Sequence, residues 1–294
     1  MTDIYKISRI MLRLFFSLLL PFATLAAALL LPSRASAQIM SQEMPLIDSD
    51  SLRRAMDNGP YFGLYKDNYF IFGTAVGQKP TKQNSNVKFQ ISIAQRLTDS
   101  VLPWNTYLFL FYSQKVFWNV LENSMPMTDL NFNPGIGLAK PLFVKNRFIG
   151  KLIFLLEHES NGRDGVASRS WNKISLGGNI ILDPRLTVHA KFWIPIVDGM
   201  NNKDILHYSG IYQVGLSVSP MQRFNLSMTF VKRKGWKLNY NSIIELSYRI
   251  FKRDNQYLFM QYYNGYGEGL LDYKQFHSQL RVGIVIKPKI FSDF

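Results

Sequence analysis

His158, Ser160 and Asn172 stand in one stretch, HESNGRDGVASRSWN (158–172), and together they are the residue types of a nucleophilic hydrolase. A serine hydroxyl attacks well only when a neighbouring base takes its proton, and histidine is the usual base. A third polar group that holds one imidazole nitrogen leaves the other free for that proton. On this chemistry Ser160 is the nucleophile, His158 its general base, and Asn172 the residue that fixes the imidazole tautomer. Asparagine in place of aspartate forgoes charge stabilisation of the imidazolium, so help with the oxyanion has to come from elsewhere.

Such a trio works only if one surface presents all three side chains. Beyond residue 60 the apolar residues recur with a period of two, the signature of strands with unlike faces. In KLIFLLEHES, Leu152, Phe154 and Leu156 share an apolar face, while Lys151, Ile153, Leu155, Glu157 and Glu159 share the other. His158 and Ser160 continue the apolar face. Asn172 has the parity of Ile174, Leu176 and Ile180 in the next strand. The three polar residues therefore point to the apolar side, beside one loop. On alternation alone, polar residues that merely meet a head-group layer at a strand end explain the pattern equally well. The chemistry of the three together favours catalysis.

The same alternation runs through RLTVHAKFWI and SIIELSYRI, with Lys191, Glu245 and Arg249 inside the strands. A soluble sandwich buries one face against a second sheet, whereas many long charged side chains suit a wet, hydrogen-bonded barrel interior. Candidate strands fall at 61–76, 86–97, 104–120, 131–143, 147–159, 169–182, 185–196, 209–219, 222–233, 239–251, 257–267 and 278–288. Breaks rich in Gly, Pro, Asn and Asp separate them, among them VGQKPTKQNSN and DGMNNKD. The expected fold is all-β, a twelve-stranded antiparallel transmembrane β-barrel, since single-chain bacterial outer-membrane barrels have an even strand count. Aromatics make up 14% of the chain, which interfacial girdles would use. With a periplasmic N-terminus, the fifth strand ends at the extracellular rim. His158, Ser160 and Asn172 are then level with the outer-leaflet head groups.

The N-terminus has the layout of a secretory signal: Lys6, Arg9 and Arg13, then an apolar run, then Ala35 and Ala37 before a cut. Residues 1–37 are expected to be a signal peptide. An uncleaved membrane anchor is the alternative, disfavoured because Pro21 interrupts the run and an Ala-x-Ala site follows at once. Residues 38–60 are polar, a periplasmic tail or short helix over the barrel mouth, and 61–294 form the barrel. The chain has a formal charge of +14 and no cysteine. The absence of cysteine excludes disulfides, thiolate zinc sites and thiol nucleophiles. Anionic lipid head groups are better partners than nucleic acid for an exported basic protein. Mean hydropathy is −0.05, and beyond residue 37 no apolar run could span a bilayer as a helix. Phe294 resembles the terminal aromatic of outer-membrane barrels.

HESNGRDGVASRSWN resembles the active-site segment of the outer-membrane phospholipase A family, calcium-dependent acyl hydrolases on twelve-stranded barrels. The likeness extends to KFQISIA (88–94), YSQKVFWNV (112–120) and YNGYGEGLLDY (263–273), and covers most of the chain from about residue 61. The resemblance implies His158 as base, Ser160 as nucleophile and Asn172 as orienting residue, with the Gly162 amide at the oxyanion. It implies calcium (Ca2+) bound by the Arg163 carbonyl and the Ser168 side chain, and by a partner protomer's carbonyl, for which Ser124 in ENSMPM is the best match. Gly165 stands where family members can carry an aspartate, which argues against a second calcium site. The family works as a reversible homodimer. Gln114 matches the polar residue that pairs across its intramembrane interface, although the alternation around Gln114 leaves an inward-facing glutamine open. His189, His207 and His277 read as lumen or loop residues, and Glu268 and Asp272 as a solvated rim loop. The function implied is hydrolysis of outer-leaflet phospholipids, with A1, A2 and lysophospholipase activity. The alternative is a non-enzymatic pore or adhesin barrel, which has no need of a polar trio on its lipid face.

Overall fold

The computed structural model describes residues 49–197, 199–251 and 255–288. The expected signal peptide, the first part of the 38–60 segment and Phe294 lie outside the described residues. Among those residues the strands are β1 (Phe62–Leu64), β2 (Asn68–Ala75), β3 (Ser85–Arg96), β4 (Tyr107–Trp118), β5 (Met127–Val144), β6 (Arg147–Ser160) and β7 (Ser170–Asp183). They continue as β8 (Leu186–Ile196), β9 (Tyr212–Met221), β10 (Phe224–Lys232), β11 (Tyr240–Arg249), β12 (Gln256–Tyr266) and β13 (Phe276–Ile286). From β2 onward each strand pairs antiparallel with its sequence neighbour, and β13 returns to pair with β2. This closes a barrel of twelve wall strands and leaves no free edge.

β1 is the thirteenth strand only in name. It pairs with Ile93–Gln95 of β3, the same partner that β2 uses at Ser85–Gln90, so β1 and β2 are one wall strand broken at Tyr65–Asp67. At the break Tyr65 turns wholly inside, its ring 4.5 Å from that of Phe111. Buried backbone groups still need partners. The Asn68 amide supplies them, donating to the carbonyls of Lys66 (2.7 Å) and Ser92 (2.9 Å) and accepting from the Ser92 amide (2.8 Å).

The expected alternation is present. On β6, Leu152, Phe154 and Leu156 are 40–46% exposed, whereas Lys151, Ile153, Leu155 and Glu157 are buried. The buried residues fill the lumen with two kinds of contact. Toward one end, Tyr65, Phe109, Phe111, Ile153 and Leu155 form an apolar cluster. Elsewhere charges pair: Glu157 with Lys191 at 2.9 Å and with the Ser175 hydroxyl at 2.5 Å, and Glu159 with Lys173 at 2.8 Å.

One expectation fails here. Glu268, read as part of a solvated rim loop, is 3% exposed. The loop after β12 folds into the lumen, and Glu268 pairs there with Lys88 (3.0 Å) and Arg281 (2.7 Å). Asp272 of the same loop pairs with His277 at 2.9 Å. His189 lies in the lumen as expected, against the Thr229 hydroxyl at 3.2 Å.

The two ends of the barrel differ. Two-residue turns at 145–146, 184–185 and 222–223 mark one end. Helix α1 (Ser49–Asp57) docks there, where Asp57 accepts from the Ser100 amide and hydroxyl at 3.1 and 2.8 Å. Arg96 binds the carbonyls of Met56, Asp57 and Gly59 at the same end. The opposite end carries the longer connections 76–84, 119–126, 161–169, 197–211, 233–239 and 267–275. A one-turn helix, α2 (Leu206–Ser209), lies in one of them.

Candidate active site

The site forms where β6 and β7 reach the long-loop end. In their register His158 faces Asn172 and Ser160 faces Ser170. The Asn161 amide donates to the Arg169 carbonyl at 3.1 Å, carrying the ladder one rung beyond the strands. Hydrogen-bonded and open pairs alternate along an antiparallel ladder. His158–Asn172 and Ser160–Ser170 therefore occupy open positions, where side chains approach most closely. The His158 Nδ1 atom lies 2.8 Å from the Asn172 Oδ1 atom. An amide oxygen only accepts, so Nδ1 carries the hydrogen and Nε2 of the neutral ring is left as the acceptor.

Ser160 follows two residues after His158 on the same outward face. All three side chains are partly buried, and all share the face of Leu156 and Leu176. Behind them the wall is fixed from within. The Asn133 amide donates to the His158 carbonyl at 2.9 Å, and the Glu157–Lys191 and Glu159–Lys173 pairs hold the lumen side of the same strand.

The loop from Asn161 to Arg169 is built around one buried side chain. Asn161 donates to the Ala167 carbonyl at 2.8 Å and accepts from the amides of Arg169 (3.0 Å) and Arg163 (3.4 Å). Gly162 has φ +63°, and a Cβ there would stand 2.8 Å from the Phe132 ring. Any other residue would be strained at this position. The carbonyls from Gly165 to Ser170 all accept hydrogen bonds, from Ser168, Asn161, Arg169, Asn201 and Asn202. Among the described residues no donor meets the Arg163 carbonyl and no hydrogen-bond partner meets the Ser168 hydroxyl.

These two oxygens have no partner among the described residues, in a loop whose carbonyls from Gly165 onward are taken, and this fits a hard cation that prefers oxygen ligands. Among the described residues no cluster of three or more His, Cys, Asp or Glu could hold a metal. A calcium ion here would be held by carbonyl, hydroxyl and water oxygens.

Ser124 lies in the β4–β5 loop at the same end of the barrel, at φ +64°. The tight turn there is closed by the Met125 amide on the Glu122 carbonyl at 3.1 Å. Arg163 reaches over β5 toward that loop, donating to the Thr128 carbonyl at 2.8 Å.

Gln114 faces outward. Its neighbours Ser113 and Lys115 point into the lumen, where Lys115 Nζ meets the Glu268 carbonyl at 2.5 Å. Leu110 is 45% exposed on the Gln114 side, and the Tyr112 hydroxyl donates to the Gln114 amide oxygen at 3.0 Å. The inward alternative for Gln114 is thereby excluded.

A family model described as phospholipase A1 matches residues 62–286. Phospholipase A1 of Escherichia coli (strain K12) is 31% identical over 219 residues, 69% of this chain and 70% of that protein. The structure of a Salmonella typhi outer membrane phospholipase dimer with bound calcium is 27% identical and superposes with a TM-score of 0.68, covering 80% of this chain and 94% of that one. An active-site mutant of Escherichia coli outer membrane phospholipase A, with asparagine changed to alanine, is 26% identical at a TM-score of 0.67, covering 78% and 93%.

Proposed function

The chain belongs to the phospholipase A1 family and is a phospholipase of the outer membrane, and from that premise we propose that Ser160, His158 and Asn172 are its catalytic triad. The observation that carries this reading is the 2.8 Å contact between His158 and Asn172 on the outward face beside Ser160. The Asn172 oxygen holds the Nδ1 hydrogen, and Nε2 accepts the Ser160 proton as Oγ attacks the ester carbonyl carbon. The tetrahedral oxyanion forms beside the Gly162 amide. Its collapse breaks the ester bond, and His158 returns the proton to the departing alcohol oxygen. Water, deprotonated by the same nitrogen, then releases the fatty acid from Ser160. The products are a fatty acid and a lysophospholipid.

Calcium held by the Arg163 carbonyl, the Ser168 hydroxyl and a carbonyl from Ser124 of the partner subunit would supply positive charge at the developing oxyanion. The Salmonella typhi relative, a dimer with bound calcium, supports both the cation and the pairing. The Escherichia coli asparagine mutant, described as an active-site mutant, supports Asn172. Gln114, polar on a face of Leu110 and other apolar side chains, is the natural residue for a membrane-embedded contact between two copies. Short turns with α1 at one end and long loops at the other fit a periplasmic and an extracellular side. The site then faces the outer leaflet, residues 1–37 are a signal peptide, and the 49–57 helix sits in the periplasm. The site lies on an open wall, so either acyl ester, or that of a lysophospholipid, can approach Ser160.

The test is fatty-acid release from phosphatidylcholine in mixed micelles by the refolded protein. Release with calcium and none in EDTA supports the reading. Equal release in both removes calcium from it.

A further inference from the structure

We propose that Asn202, in the loop between β8 and β9, is a positioning residue of the active site, holding the end of β7 so that Ser160 and the 161–169 loop keep their spacing. The inference rests on the assignment of Ser160 as nucleophile. Among the described residues β8 pairs with β7 only as far as Ile196 opposite Asn172. Ser170 lies beyond that point, and its N–H and C=O face away from β6 because Ser160–Ser170 is an open pair. A strand neighbour would normally meet those two groups. The Asn202 side chain meets them instead. Its Oδ1 accepts from the Ser170 amide at 3.3 Å, and its Nδ2 donates to the Ser170 carbonyl at 2.8 Å. One amide side chain thus takes the place of a missing peptide rung.

Three further observations show that this contact is built. Asn202 is fully buried, so both ends of its amide are committed to one backbone residue and solvent cannot replace them. Gly199 passes so close that a Cβ there would stand 2.1 Å from the Asn202 Oδ1 atom and 2.6 Å from the Ser170 carbonyl oxygen. Neighbouring Asn201 donates to the Gly165 carbonyl at 2.8 Å, gripping the 161–169 loop from the same side. The β8–β9 loop is itself anchored. Ile205 packs with Trp171, Leu270 and Tyr273, and Asp204 accepts from the Tyr273 hydroxyl at 2.5 Å. Ser170 is the register partner of Ser160, and the next rung, Asn161–Arg169, closes the loop that carries Gly162, Arg163 and Ser168. Slack at Ser170 would pass directly to the nucleophile and to the oxyanion donor, while the outer wall that receives the lipid stays in place.

The experiment compares Asn202→Ala, Asn202→Asp, Gly199→Ala and Ser160→Ala with wild type, all refolded and checked by heat-modifiable migration. Rates are normalised to the folded fraction. A small misplacement of reacting groups costs up to roughly 100-fold. Asn202→Ala is expected to lower kcat by about 10- to 100-fold with KM within about twofold, and to slow sulfonyl fluoride labelling of Ser160 in proportion. Gly199→Ala, which disturbs the same contact from the other side, should fall in the same direction. Asn202→Asp keeps the acceptor and loses the donor, so its kcat should lie between wild type and Asn202→Ala. Wild-type kcat per folded barrel in both Asn202→Ala and Gly199→Ala overturns the proposal. A loss confined to KM or to the folded fraction overturns it too, since that would be a structural role only. Ser160→Ala separates the two claims: if it remains active the nucleophile assignment fails, and if it is inactive while Asn202→Ala is normal, only the positioning role fails.

Discussion

Asn172 Oδ1 and His158 Nδ1 are 2.8 Å apart across an open position of the β6–β7 ladder, so the orienting contact is set by the backbone register itself. Asn172 neither accepts the transferred proton nor carries charge. His158→Ala should therefore cost more activity than Asn172→Ala, because the first removes the base and the second only frees the ring to change tautomer. Steady-state rates of both variants in one micellar assay check this. Equal losses would mean that Asn172 does more than orient.

The Ser168 hydroxyl has no protein hydrogen-bond partner among the described residues, and it stands in the loop whose carbonyls from Gly165 onward are occupied. Ser168→Ala should raise the calcium concentration for half-maximal activity and weaken calcium-dependent pairing, with the barrel intact. A calcium titration of activity, run beside sedimentation in the same detergent, reads both effects. An unchanged titration would take Ser168 out of the calcium shell.

Gln114 presents its amide on the lipid-facing side of β4, within reach of the Tyr112 hydroxyl. A side-chain hydrogen bond between membrane segments contributes about 0.6–2 kcal/mol. Gln114→Leu should weaken self-association by about that amount and leave the activity of a cross-linked dimer unchanged. Energy transfer between labelled copies at several detergent ratios measures it. Undiminished association would place the interface elsewhere on the wall.

Glu268 provides a stability test that does not involve catalysis. Burial pushes its carboxyl up, but Lys88 and Arg281 outweigh burial and hold it down to about 2, against an ordinary value of 4.5. A carboxyl depressed on folding stabilises the fold above its unfolded value, and that contribution is lost as pH falls through the folded one. Resistance to urea should therefore decline between about pH 4.5 and pH 2. Glu268→Gln should flatten that decline and cost about 3–5 kcal/mol at neutral pH, because it leaves two buried cations uncompensated. Unfolding curves at several pH values decide it, and a wild-type profile in Glu268→Gln would contradict the account.

Much of this was legible in the sequence because each wall strand has one lipid face and one lumen face, and an alternating pattern records both. The parity of Asn172 with Ile174 and Leu176 placed it on the outer face with His158, and the register bears this out. The pattern fails where the faces do not contrast. On β4, Phe109 and Phe111 point inward while Leu108 and Leu110 point outward, so the strand is apolar on both sides and the direction of Gln114 could not be read. β5 begins at Met127, four residues before the expected 131, because the buried Asp129 is a lumen residue that looks like part of a polar loop. The break at Tyr65–Asp67 leaves no mark because a single side chain, Asn68, repairs it. Glu268 and Asn202 act through partners far away in the chain, and no local period encodes contacts that close only when the barrel does. Asn161 was in view within HESN, yet its role in bracing the loop emerges only from the carbonyls and amides around it.

The central claim is that Ser160 is the nucleophile of a site on the outer wall. Its most direct test is to treat the folded protein with a long-chain alkanesulfonyl fluoride, locate the adduct by peptide mass spectrometry, and follow phospholipid hydrolysis in parallel with Ser160→Ala. The account predicts a single adduct on Ser160 that appears as activity disappears. It also predicts a Ser160→Ala barrel that migrates as folded yet neither labels nor hydrolyses. An adduct on another residue, or wild-type hydrolysis by Ser160→Ala, would contradict it.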